Sequence, residues 1–140
     1  MDPSGIVIGA VGLVMAGPVI YLVTRQASRG AIDVNSAIGI RTRTTKSSQE
    51  TWEVAHRAAL PWVSVAGLLA LASAIISLTA LVLANTVGAS EVAPVVVLIG
   101  GYLGLLVLMS IATSVGNHAV RRSVGGYSTG TETSSKESEE

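Results

Sequence analysis

The sequence contains no cysteine and no phenylalanine, and only 13% of its residues are charged. Without cysteine there is no disulfide framework, no thiolate metal site and no cysteine nucleophile. Two histidines do not make a convincing metal cage by themselves. Soluble domains carry about 25% charged residues, so this chain has roughly half of the usual charge. These shortages argue against an ordinary soluble enzyme.

Charge is missing above all from three long apolar stretches. They cover residues 5–24, 62–84 and 92–115, and none contains a charged side chain. A bilayer core about 30 Å thick needs roughly 20 apolar residues at a helical rise of about 1.5 Å per residue. Because an unpaired backbone amide finds no water in lipid, a spanning segment must be helical. The sequence therefore predicts an all-α membrane protein, with a three-helix domain over residues 1–124.

The positive charges predict the orientation of the chain. Six of the nine Lys and Arg residues lie in the loop 25–61 and the other three follow the third stretch. With three spans these groups share one side, which the positive-inside rule makes cytoplasmic. The N-terminus is then expected outside and the C-terminus in the cytoplasm. Because no basic residue precedes the first stretch, we interpret it as a retained helix rather than a signal peptide.

Small residues recur at a spacing of four in the first and third stretches. Gly5 and Gly9 form one pair, and Gly100 and Gly104 form another. Such pairs let membrane helices approach closely. The pattern is typical of packing within the bundle, and the alternative is a contact face for another subunit or a second copy of the chain. Near mid-membrane, the Tyr102 hydroxyl is expected to bond a backbone carbonyl or a serine.

The long loop between the first two stretches predicts a helix of its own. Ser47 precedes Glu50 by three residues, which is a capping-box pattern, and apolar residues then recur at helical spacing from Trp52 onward. We predict a short amphipathic helix over residues 48–60 that runs into the second span near Pro61. It is expected to lie on the membrane surface, with its tryptophan in the headgroup boundary.

Basic and aromatic residues of the loop are the candidate contacts. Arg41, Arg43 and Lys46 are placed to meet anionic lipid phosphates, at about 1 kcal/mol each. The alternative for Arg41 is a structural ion pair with an acid of the following helix. His56 lies one turn beyond Trp52, where a hydrogen-bonded structural histidine is favoured over a proton-sensitive contact.

The loop also carries an ordered series of short elements. An Asn-x-x-Ile-Gly-Ile-Arg-Thr run comes first, followed by Thr and Ser residues and by a Trp-x-x-Ala-His segment. This series resembles the hallmark segment of the SdpI family. The candidate contacts with a partner or with lipid are Asn35, Gly39, Arg41, Thr42, Arg43, Thr45, Trp52 and His56. The resemblance implies a small multi-pass protein of the bacterial inner membrane, with an immunity or signalling role in which the loop engages a cytoplasmic regulator.

Nothing in the sequence points to catalysis. None of the nine acidic residues lies inside an apolar stretch, and ion or proton pathways usually need an ionisable residue within the membrane. P-loop, HExxH and GxSxG motifs are missing from the sequence. We expect a non-enzymatic protein that needs no cofactor or metal and binds no nucleic acid.

Two other functions stay open at this point. One is a small accessory subunit of a larger membrane protein complex, and the less favoured one is a transporter formed by oligomerisation. The polar segment 125–140 ends in several acids and contains few apolar residues. Such a composition cannot bury enough apolar surface to fold, so a disordered tail is predicted.

Overall fold

Three helices make up the regular structure of the part of the chain that is described. The computed structural model describes residues 3–34, 42 and 47–136, with side chains up to residue 124. Helix α1 spans Ser4–Ala27, α2 spans Gln49–Val87 and α3 spans Ala93–Lys136. Each helix is long and apolar enough to cross a membrane, which confirms the three predicted spans. The backbone of α3 is helical through Lys136, into the segment for which the composition predicts disorder.

Helix α2 lies at the centre of the bundle. It packs along both neighbours, whereas α1 and α3 contact each other over a short length. The main buried cluster joins Leu13 of α1, Ala66 and Ala70 of α2, and Leu105 of α3. Small side chains on the α2 face allow this close approach, because they leave room for the neighbouring backbone.

One polar bond inside the membrane region links the two outer helices. The Tyr102 hydroxyl of α3 donates to the backbone oxygen of Gly9 on α1, at 2.9 Å. This confirms the expectation that the hydroxyl finds a nearby backbone carbonyl. In a medium without water, a bond of this kind satisfies a polar group that would otherwise be costly to bury.

The outer surface of the bundle is apolar. Large side chains point away from the protein on every helix, with 71% of Ile8, 68% of Leu68 and 64% of Leu106 exposed. A soluble monomer rarely exposes contiguous apolar patches of more than a few hundred Å². This surface suits the hydrocarbon interior of a bilayer.

The second helix begins much earlier than the uncharged stretch that it contains. The short surface helix predicted for residues 48–60 is not an element of its own: residues 49–60 are helical, but they form the first turns of α2, and Pro61 lies inside that helix. Proline removes one backbone donor, but buried side chains before and after it, Ala59 and Val63, pack in the same cluster with Ala112 of α3. Packing against α3 on both sides of the proline keeps the helix continuous.

The cap of α2 also differs by one residue from the prediction. Ser48, not Ser47, is the N-cap. Its Oγ accepts a hydrogen bond from the backbone N–H of Thr51 at 3.1 Å, and its own N–H donates to Thr51 Oγ1 at 3.0 Å. The threonine hydroxyl takes the part that the capping-box pattern assigned to Glu50.

Candidate functional site

The residues of the loop motif that the structure describes lie at the end of the bundle where α2 begins. We call this end of the bundle, where α1 ends and α2 starts, the loop end. Of the candidate contacts, Thr42, Trp52 and His56 are described there. The others, Asn35, Gly39, Arg41, Arg43 and Thr45, lie outside the described residues.

Trp52 and His56 form a buried aromatic pair in the first turns of α2. Both side chains are fully buried, and their ring centroids lie 4.2 Å apart at an interplanar angle of 43°. His56 Nδ1 lies 2.8 Å from the backbone oxygen of Trp52. Because a carbonyl can only accept, Nδ1 carries the hydrogen and donates it. The pair is thus held by contact between the rings and by a hydrogen bond between residues one helical turn apart.

The burial of Trp52 corrects the expectation that its ring lies in the lipid headgroups. On a separate surface helix, the apolar side would turn toward lipid. On a continuous α2, the same side falls in register with Ala55, Ala59 and Val63, which are buried within the bundle. Residues spaced three and four apart share one helix face, so the ring turns into the protein.

Burial also sets the protonation state of the histidine, which lies outside the uncharged stretch 62–84. Loss of solvation lowers the pKa of His56 below its ordinary value of 6.5, and the hydrogen bond to the Trp52 carbonyl opposes this to a smaller degree. Desolvation disfavours the charged form of a base. The imidazole is therefore neutral at pH 7.

The indole nitrogen of Trp52 is a buried donor. Within the described residues, Nε1 has no hydrogen-bond partner. A buried unpaired donor costs about 1–3 kcal/mol relative to a satisfied one. Packing of the ring, rather than a hydrogen bond from Nε1, therefore fixes the position of this side chain.

A polar contact fastens the loop to α3. Thr42 Oγ1 donates to Asn117 Oδ1 at 2.7 Å, across 75 residues of sequence. At the neighbouring Gly116, an added methyl group would lie 3.0 Å from the backbone oxygen of Ala55. Helices α2 and α3 therefore approach each other backbone to backbone at this level, within one turn of the aromatic pair.

A second polar contact fastens the start of the loop to α2. The N–H of Val34 donates to Gln49 Oε1 at 3.0 Å, and Gln49 Nε2 donates to the Ile32 backbone oxygen at 3.4 Å. The same amide group lies 3.3 Å from Glu53 Oε1. The sequence did not predict Gln49 or Asn117, because a single amide side chain carries no spacing pattern.

The four glycines predicted to pack between helices separate into two groups. A methyl group added at Gly9 or Gly104 would lie 2.6 or 2.5 Å from a leucine side chain of a facing helix. At Gly5 and Gly100 it would meet nothing within 4 Å. Gly9 and Gly104 therefore lie in contacts within the bundle, whereas the other two glycines lie in open positions.

Glycines that the pattern did not single out form the crossing of α1 and α2. Gly17 of α1 and Gly67 of α2 face each other, and a methyl group at Gly17 would lie 3.2 Å from the Gly67 Cα. The signal for this contact is weak in the sequence, because each is a lone glycine without a partner four residues away.

The chemistry of the loop end is that of a polar binding and anchoring site. In the described ranges, no group of three or more His, Asp or Glu side chains is placed to hold a metal ion. The described polar groups bind one another, through an imidazole, a threonine hydroxyl and two side-chain amides. The contacts made by loop residues join the loop to α2 and α3.

Comparison with known proteins adds the family. The model of the SdpI/YfhL protein family matches residues 31–116. The match begins in the turn after α1 and includes the loop motif, all of α2 and the first part of α3. No curated protein and no solved structure matches the chain. Because more than half of the chain matches, and because its three helices have membrane length, the protein is a multi-pass membrane protein that belongs to the SdpI/YfhL family.

Proposed function

We propose that this protein has an immunity or signalling role, in which the loop 25–61 engages a partner. The observation that carries the proposal is the double fastening of the loop, to α2 through Gln49 and to α3 through Thr42. A segment held at two points loses less conformational freedom when a partner binds. Pre-organisation of this kind improves affinity by reducing the ordering cost.

The placement of the charges supports a cytoplasmic position for the loop. Arg25, Arg57, Arg121 and Arg122 all belong to the loop end, and the N-terminal tail and the turn after α2 carry no Lys or Arg. By the positive-inside rule, the N-terminus is then outside and the C-terminus inside a bacterial plasma membrane. The proposed partner is accordingly a cytoplasmic regulator.

A binding role is favoured over a catalytic one. The His56 imidazole donates to a backbone carbonyl of its own helix, and the Thr42 hydroxyl is used to hold the loop on α3. Groups committed to internal hydrogen bonds are poorly placed to move protons on a substrate, since catalysis needs a group within reach of the reacting atom.

Copurification in mild detergent tests this proposal. The full-length protein is isolated from its native membrane as wild type, as Arg41→Ala and as Trp52→Ala. The matched controls are Arg122→Ala, an exposed cation on α3, and Trp62→Ala, a tryptophan on α2 that is 38% exposed. We expect a soluble regulator to copurify with the wild type and with both controls, and to be lost from the two loop variants. Equal recovery from all five proteins would contradict the proposal.

An accessory-subunit role is the second candidate. It is supported by the open position of Gly100 on α3, where nothing lies within 4 Å of an added methyl group. Small residues on a free face let a helix of another subunit approach closely. A stoichiometric membrane complex that survives Trp52→Ala, and that Gly100→Leu disrupts, would favour this role.

A further inference from the structure

An apolar groove lies between α1 and α2, open to the surroundings of the bundle. Its volume is about 490 Å³. The crossing of Gly17 with Gly67 lies within it, and its walls are formed by Val14, Pro18, Tyr21, Ser64, Leu68 and Leu71. In a membrane such a groove faces lipid, because the helices that form it cross the hydrocarbon core.

Each wall of the groove leads to an arginine at the loop end. Arg25 follows Pro18 by seven residues on α1, and Arg57 precedes Ser64 by seven residues on α2. Seven residues are two helical turns within about 20°, so each arginine stays on the face that lines the groove.

The two arginines also lie at nearly the same depth. Gly17 and Gly67 face each other at the crossing. Counted from there at about 1.5 Å per residue, Arg25 lies about 12 Å along α1 and Arg57 about 15 Å along α2. Both distances run toward the loop end, because the two helices run in opposite directions.

The guanidinium groups are available to a ligand. In the part of the chain that the structure describes, neither Arg25 nor Arg57 uses its side chain in an ion pair or a hydrogen bond. Arg57 is exposed and Arg25 partly so. The ring of Tyr21 lines the groove just below Arg25, and tyrosine prefers the boundary between hydrocarbon and headgroups.

We propose that this groove binds one anionic phospholipid. Its phosphate lies between Arg25 and Arg57, and one acyl chain follows the groove past Tyr21 toward Leu71. Guanidinium groups bind phosphate oxygens through paired, charge-assisted hydrogen bonds. The apolar walls exclude a purely polar ligand from the rest of the groove, and the two cations favour an anionic headgroup over a zwitterionic one.

Native mass spectrometry of the full-length protein in a neutral detergent tests the site. The protein is titrated with phosphatidylglycerol and, separately, with phosphatidylcholine that carries the same acyl chains. Each basic residue near a membrane surface contributes about fivefold to the binding of an anionic lipid. We therefore expect one phosphatidylglycerol to be retained by the wild type, and about 30-fold weaker retention by R25Q/R57Q.

Two further variants separate the parts of the site. The double variant R121Q/R122Q removes the same charge from the loop end on α3, away from the groove, and should retain phosphatidylglycerol like the wild type. Ser64→Phe fills the groove and leaves both arginines in place, so retention of phosphatidylglycerol should fall.

Several results would overturn the proposal. Equal retention of the two lipids would mean that the arginines do not select an anionic headgroup. Equal losses in R121Q/R122Q and R25Q/R57Q would reduce the effect to general surface charge. Unchanged retention of phosphatidylglycerol by Ser64→Phe would mean that the arginines bind the phosphate and that the groove does not hold an acyl chain. A dimer that buries the groove, seen in the same spectra and unaffected by lipid, would assign the groove to a second copy of the chain.

Discussion

Two glycines that face each other at the α1–α2 crossing should respond differently to the same substitution. A methyl group at Gly17 would lie 3.2 Å from both the Cα and the backbone oxygen of Gly67. A methyl group at Gly67 would lie 3.6 Å from the backbone oxygen of Gly17 and 3.7 Å from its Cα. The first contact is too tight and involves backbone atoms, so the helices must separate to relieve it. The second is an ordinary van der Waals contact.

The magnitudes follow from two opposing contributions to the free energy of unfolding. Alanine is favoured over glycine inside a helix by up to about 1 kcal/mol. Overpacking costs about 1–3 kcal/mol. Gly17→Ala is therefore expected to lower the free energy of unfolding by up to about 2 kcal/mol. Gly67→Ala should leave it unchanged or raise it by up to about 1 kcal/mol.

The measurement is unfolding by sodium dodecyl sulfate in mixed micelles, followed by far-ultraviolet circular dichroism. Gly100→Ala is the matched control, because an added methyl group there meets nothing within 4 Å. It should behave like Gly67→Ala. If Gly17→Ala is as stable as Gly100→Ala, or if both crossing variants are destabilised alike, the asymmetry derived from the crossing is refuted.

Two further predictions concern the loop end. Trp52→Ala should lower the free energy of unfolding by about 3–5 kcal/mol and speed protease cleavage between residues 41 and 57. Trp52→Phe removes the unpaired N–H but keeps a ring, so both effects should be smaller. Equal effects of the two substitutions would contradict packing of the ring as the cause. Because the pKa of His56 is lowered from 6.5, the unfolded chain takes up the proton first, so stability should be complete above about pH 6.5 and fall below it. His56→Gln should weaken the dependence of the melting temperature on pH between pH 7.5 and 5.5. An unchanged dependence would assign it to other groups.

The three spans could be predicted because their physical cause is simple. A helix of twenty or more uncharged residues is long enough to cross a bilayer, whatever the order of those residues. The bond between Tyr102 and Gly9 was predictable in kind for a similar reason, since a hydroxyl in hydrocarbon must find an acceptor. Neither inference needs knowledge of how the helices are arranged.

The start of α2 could not be predicted from local signals, which conflict there. Pro61 and the last charged residue before it, Arg57, indicated a boundary between a surface helix and a span. The buried stripe shows otherwise, because Ala55, Ala59 and Val63 continue into Ala66 without a change of register. Only a continuous helix keeps one register across a proline.

The same register argument separates the loop site from the lipid groove. His56 is fully buried and the next residue, Arg57, is exposed, because successive residues of a helix turn by about 100°. Helix α2 therefore holds the loop motif with one face and borders the groove with the next, and the motif residues Thr42, Trp52 and His56 are not among those that line the groove. Effects at sites without shared partners are usually additive. R25Q/R57Q should weaken lipid retention and leave partner capture intact, and Thr42→Val should do the reverse, so loss of both activities in either variant would mean that the two sites are one.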